Sequence, residues 1–162
     1  MTSASKKPSG TFLVSLIVVM LSALTANPAA ADLFTELRGK WKGSGTMTLK
    51  DGAKQRLVCD AQYSGTASQL RLIINCKSGS NNISMNGQLS ANQGNLLGTW
   101  REETYKAIGT ISGKASDGRI TFYIGGNVLG TMTVRYTKRS QNVSIKTTGI
   151  SLQDVSIRLT RR

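Results

Sequence analysis

The sequence predicts an all-β fold: an antiparallel meander of eight to ten strands that closes into a small barrel behind a short N-terminal helical turn. Three observations carry this prediction. Turn dipeptides recur at short intervals, among them Asp51-Gly52, Gln93-Gly94, Asp117-Gly118 and Gly125-Gly126. Apolar and polar residues alternate with period two between those turns. No ten-residue stretch after residue 40 carries helical spacing, which excludes a parallel βαβ architecture. Short connections favour a meander, and many consecutive antiparallel strands close to remove their edges. A β-sandwich shares this turn spacing and is the alternative.

In chain order, the first element is one the protein is expected to lose. Lys6 and Lys7 precede the apolar run TFLVSLIVVMLSAL at 11–24, and TANPAAAD follows with Ala29 and Ala31 ahead of Asp32. A positive start, a short apolar core and an A-x-A exit read as a secretory signal peptide over residues 1–31, cleaved after Ala31. The run is shorter than the roughly 20 residues that span a bilayer, so an integral membrane protein is not expected. No cysteine follows the cut to carry a lipid. Residues 32–162 form one domain, expected in the periplasm.

That domain opens on ADLFTELRG, with Asp32 as a cap, Leu33, Phe34 and Leu37 as apolar residues and Gly39 as a stop, a single helical turn. Strands are predicted near 41–50, 54–64, 70–77, 82–90, 95–103, 106–113, 119–125, 128–137, 141–148 and 153–161. The first begins in RGKWKGSGTM. Despite its three glycines this stretch has neither the G-x-x-x-x-G-K-[ST] nor the G-x-G-x-x-G spacing of a phosphate loop. Its alternation places Trp41, Gly43, Gly45 and Met47 inward and Lys40, Lys42, Ser44 and Thr46 outward. A three-residue loop, Lys50 to Gly52 with Gly52 left-handed, keeps Met47, Leu49, Leu57 and Cys59 on one face.

The next hairpin carries both cysteines. Folded about residues 67 and 68, it sets Cys59 opposite Cys76, Ala61 opposite Ile74 and Tyr63 opposite Leu72, all on one apolar face. Opposed residues on neighbouring strands lie within disulfide reach, and an exported chain meets an oxidising compartment. A Cys59–Cys76 disulfide is expected, worth roughly 3 kcal/mol on the loop-entropy model. A zinc site is not, because the chain has no histidine and no C-x-x-C. Further on, SGTM, LGTW, IGTI and LGTM recur from Ser44, Leu97, Ile108 and Leu129, each placing an inward glycine two positions before a larger apolar residue. Glycine there permits sharp coiling, or leaves room for a ligand.

The charge is strongly one-sided: 21 Lys and Arg against 8 Asp and Glu, net +13. Loss of Lys6 and Lys7 with the leader leaves 19 against 8, net +11. Such a surface is soluble and is attracted to anionic partners such as lipid headgroups. The bases are scattered rather than clustered, and with export this argues against nucleic acid.

Residues 38–43, RGKWKG, combine a helical turn with G-x-W opening the first strand, and in this they resemble the calycin superfamily, the lipocalins and their relatives. The resemblance implies a barrel in which Trp41 plugs the closed end beneath an arginine from near the chain's end, Arg158 or Arg161, in cation–π contact. The stretch 32–162 is also similar to small exported proteins of alpha-proteobacteria. The shared features are a W-x-G-x-G start, cysteines on neighbouring strands, a G-x-W-x-E segment (here GTWREE) and a basic final strand. That similarity bears on compartment and fold rather than on activity.

Catalysis is not expected. Histidine is absent, the cysteines are committed to each other, and Glu102 and Glu103 are adjacent and so point to opposite faces of a strand. Parity groups Glu102 with Trp100, as a partner for a barrel-end arginine. No metal or other cofactor is implied. The expected role is a non-catalytic binding module for an apolar or amphipathic envelope ligand, lipid included. Its interior would be lined by Leu72, Ile74, Met85, Trp100, Phe122 and Met132. The alternative is a basic envelope interaction or structural module that contacts anionic lipid or another protein.

Overall fold

The computed structural model describes residues 1–2, 33–116 and 118–162. The expected signal peptide, the Asp32 cap and Asp117 lie outside the described residues, apart from Met1 and Thr2. Ten strands follow one short helix, α1 (Leu33–Leu37). They are β1 (Gly39–Leu49), β2 (Lys54–Gly65), β3 (Gln69–Ser78), β4 (Asn81–Asn92), β5 (Asn95–Glu102), β6 (Ala107–Ser116), β7 (Arg119–Gly126), β8 (Leu129–Tyr136), β9 (Ser140–Thr148) and β10 (Leu152–Arg161). Each strand pairs antiparallel with its sequence neighbours, and β1 also pairs with β10, closing the barrel. The sandwich alternative is thereby excluded: first and last strand satisfy each other's backbone groups, with Trp41 opposite Arg161 and Met47 opposite Val155.

The first two hairpins follow the burial argument. Leu49 donates its N–H to the Ala53 carbonyl at 2.9 Å, and Gly52 sits left-handed at φ 83° within the loop. Gly45 then opposes Leu57 and Gly43 opposes Cys59. Cys59 and Cys76 are directly opposite and disulfide-bonded, with Cα atoms 4.1 Å apart, and the register continues Ala61–Ile74 and Tyr63–Leu72.

The recurring glycines all face inward, and the close packing around them explains why no larger residue stands there. A methyl group built on Gly109 would lie 2.7 Å from Trp100 Nε1 and run into the Gly125 carbonyl. On Gly87 it would meet the Leu72 side chain at 2.9 Å, and on Gly98 the Leu89 side chain at 2.6 Å. Gly43, Gly45 and Gly130 admit the neighbouring strand's carbonyls, from Arg158, Ser156 and Lys146 respectively. Coiling and close packing therefore account for these glycines. The space each one leaves is taken by a neighbour and is not itself a cavity.

Candidate functional site

The barrel has two unlike ends. At one lie α1, the loops at 66–68, 93–94 and 137–139, and Gly118 between β6 and β7; at the other lie the loops at 50–53, 79–80, 103–106, 127–128 and 149–151.

The α1 end is sealed. Phe34, Leu37 and Trp41 are buried, and Trp41 Nε1 donates to the Leu37 carbonyl at 2.8 Å. Arg161 stands over the Trp41 ring, its guanidinium carbon 4.4 Å from the ring centroid. The same guanidinium donates to the Lys138 carbonyl at 2.7 Å and to the carbonyls of Glu36 and Arg38. Those last two carbonyls lie at the C-terminal end of α1, where the peptide dipoles favour a cation. One side chain thus ties the final strand to the helix and to the β8–β9 loop. Arg158, the other arginine expected here, is three residues earlier and so out of phase: it lies exposed on the outer face, opposite Ser44.

Behind the plug, Tyr63 packs against Trp41 with ring centroids 6.4 Å apart and donates its hydroxyl to Gln141 Oε1 at 3.3 Å. Burial pushes the Tyr63 phenol far above its ordinary pKa, so it stays neutral and can donate. Gln141 is 1% exposed, and its Nε2 has no partner among the described residues. Sequence reasoning missed Gln141, although the signal was present: it is in phase with Val143 and Ile145 on β9 and must face inward with them.

At the opposite end Glu102 is 6% exposed. Burial alone would raise its pKa, but backbone N–H groups of Tyr105, Thr104 and Ser84 donate to it at 2.6, 3.0 and 3.0 Å. With the Thr104 hydroxyl they outweigh the burial and hold the carboxyl below its ordinary value. Glu102 therefore organises the β5–β6 turn. The expectation that it partners a barrel-end arginine is corrected, since Arg161 serves the other end.

Between the ends lies the lumen. Strand register turns all six expected lining residues inward: Leu72, Ile74, Met85, Trp100, Phe122 and Met132. Trp100 and Phe122 are buried, at 8% and 2% exposure. The other four are only partly buried, as are Ile83, Ile124, Val143, Ile145 and Ile157 on the same inner face. The two charged strand residues in inward register, Glu102 and Arg161, sit at opposite ends, so the lumen wall between them carries no charge. Trp100 Nε1 is buried without a hydrogen-bond partner, laid over Gly109.

No protein-family model and no curated protein matches this chain. Solved structures do. The crystal structure of Rv2717c from M. tuberculosis matches at a TM-score of 0.64 and 15% identity, over 82% of this chain and 97% of that one. The S-type phycobiliprotein lyase CPES from Guillardia theta matches at 0.58 and 13% identity, over 83% and 92%. At such low identity the likeness shows the fold alone. It fits the calycin-like resemblance of the opening strand, and the chain is a closed, ten-stranded antiparallel β-barrel with one sealed end.

Proposed function

We propose that this protein is an exported, non-catalytic barrel that holds an apolar or amphipathic small molecule of the cell envelope in its lumen. One observation carries the reading. Nine aliphatic or thioether side chains that face the inside of a closed barrel, Leu72, Ile74, Met85 and Met132 among them, retain contact with solvent. Inward side chains are wetted where the interior is unfilled or opens at its mouth, and an apolar space of that kind favours an apolar occupant. A barrel neighbour named as a lyase does not bear on catalysis here. Periplasmic location belongs to the same proposal, supported by the leader-like residues 1–31 and by a disulfide of the kind oxidising compartments sustain. Among the described residues no helix is long and apolar enough to cross a membrane. The net charge of +11 that remains once the leader is lost favours a second reading, contact of the basic outer surface with anionic lipid.

The test is native mass spectrometry of the protein purified from bacterial envelopes, together with titration by an apolar fluorophore read through energy transfer from tryptophan. A saturable one-to-one signal is expected, and Met132→Trp, which fills the lumen, should abolish it. Unchanged transfer in that variant would remove the lumen as the site.

A further inference from the structure

The outer wall of β3–β6 is not convex. Where Gly87, Gly98 and Gly109 face inward with no side chain, the wall sinks onto Leu72, Leu89 and Trp100. The outer surface dips into an open groove of about 770 Å³, and an adjoining one of about 560 Å³ shares Arg71, Gln88 and Thr99 with it. Strand register sets the side chains of this floor side by side: Arg71, Gln88, Thr99 and Thr110 form one cross-strand row, and Ile73, Asn86, Arg101 and Ile108 the next. Beyond their backbone ladder bonds, the side chains of Arg71, Gln88, Thr99 and Thr110 make no hydrogen bond or ion pair to any described residue. Arg101 meets Glu103 only at 3.9 Å, with both side chains well exposed. Ile73, Ile108 and Leu97 stand in or beside the depression at 40%, 51% and 63% exposure.

The geometry points to this groove as a binding site for an anionic oligosaccharide, independent of whatever occupies the lumen. The free Gln88 amide and the Thr99 and Thr110 hydroxyls, in a shallow concavity, match the hydroxyl groups of a sugar, each able to give and accept hydrogen bonds, while the neighbouring Asn86 amide donates to Glu103 Oε1 at 3.4 Å. Arg71 and Arg101 offer planar forks to carboxylate groups, and their two charges outnumber the single Glu103. Ile73, Ile108 and Leu97 present aliphatic surface to the C–H faces of sugar rings.

Other anionic partners fit less well. A bilayer is flat and is gripped by lysines, whereas this face is concave and no lysine lines either groove, in a chain with eleven of them. A peptide strand needs an open sheet edge, and the closed barrel has none. Single-stranded nucleic acid needs aromatic stacking surfaces, and the aromatic residue of this wall, Trp100, turns its ring inward.

Isothermal titration calorimetry of the protein with short galacturonic-acid oligomers, at about 0.15 M salt to screen diffuse attraction, tests the assignment. Saturable binding is expected, with neutral dextran oligomers inert. Arg71→Ala/Arg101→Ala should weaken it by about tenfold or more, the scale set by losing charge-assisted forks, and Asn86→Ala/Gln88→Ala should weaken it severalfold. Arg135→Ala/Arg158→Ala removes the same charge from β8 and β10 and should leave binding unchanged. The proposal is overturned if the oligomers do not bind, or if the two arginine pairs lose affinity equally. It is also overturned if dextran binds as well, or if the groove variants change retention on anionic phospholipid vesicles but not oligomer binding.

Discussion

Replacing Arg161 by alanine tests how the sealed end is held. The side chain contributes a stack on Trp41 at 4.4 Å and hydrogen bonds to three backbone carbonyls, Lys138, Arg38 and Glu36. A cation–π contact contributes about 0.5–2 kcal/mol depending on desolvation. Hydrogen bonds from a charged donor contribute about 1.5–3 kcal/mol each when buried, but Arg161 is only partly buried, and carbonyls at a surface regain water when released. Contacts made by one side chain are not additive. The expected loss is therefore about 2–4 kcal/mol, well above the roughly 0.5 kcal/mol of an ordinary surface substitution. Arg161→Lys keeps the charge but replaces the fork by a single ammonium, and should cost about half as much. Arg158→Ala, on the outer face of the same strand, is the matched control and should fall within about 0.5 kcal/mol of the native protein. Urea unfolding followed by tryptophan fluorescence gives these differences as midpoint shifts at constant slope. Equal midpoints for Arg161→Ala and Arg158→Ala would refute the view that Arg161 clamps the end.

Three further perturbations separate the other structural claims. Reducing the Cys59–Cys76 bond, or replacing both cysteines with serine, should cost about 3 kcal/mol in the same assay, as expected for closing a loop of this length; no shift with reductant would show that the bond does not constrain the unfolded chain. Glu102→Gln should cost about 2 kcal/mol at pH 7, because an amide cannot accept from all three N–H groups. The folded-state pKa of Glu102 lies below the unfolded value, so its stabilisation is fully present above the unfolded pKa of about 4.3 and disappears as pH falls through the lower folded value. The gap between native and variant should close across that window, and a gap independent of pH would contradict the assignment. Gly109→Ala should destabilise by more than about 3 kcal/mol, since the added carbon meets Trp100 Nε1 at 2.7 Å and the rigid Gly125 backbone. Gly79→Ala, with open space but a left-handed φ of 57°, should cost only about 1 kcal/mol.

The sequence made the ten strands, the cysteine pairing and the inward face readable because period-two alternation registers burial directly. Strand ends were less legible. β4 extends to Asn81–Asn92 and β6 to Ser116, because ladder hydrogen bonds continue through polar residues that carry no apolar signal. Arg158 and Arg161 could not be separated because the register of β1 against β10 is set by barrel closure rather than by a short turn. The role of Glu102 was hidden for a related reason: its partners are main-chain N–H groups, which leave no trace in composition. The outer groove was invisible too: the inward glycines that permit it were legible, but how far the wall sinks is set by packing across the barrel.

How burial is distributed along the strands links the two candidate sites. On β7, β8 and β9 the residues nearest α1 are buried: Ile120, Phe122, Val134, Tyr136 and Gln141. One or two steps further from α1, Ile124, Met132, Val143 and Ile145 are only partly buried. Large side chains thus fill the barrel at the plug, and the filling thins toward the other end. On β4, β5 and β6 the inward glycines let the wall fall onto Leu72 and Trp100, which occupy the interior from one side and dent the exterior on the other. A substitution that lifts this wall would act on both faces at once. Trp100→Leu shortens the side chain lying over Gly109, so it should enlarge the lumen and raise its capacity for an apolar probe. The same change should deepen the outer depression and alter oligosaccharide affinity. If lumen capacity rises while groove affinity stays fixed, the dent owes its shape to strand twist alone, and the support of this wall by Trp100 is disproved.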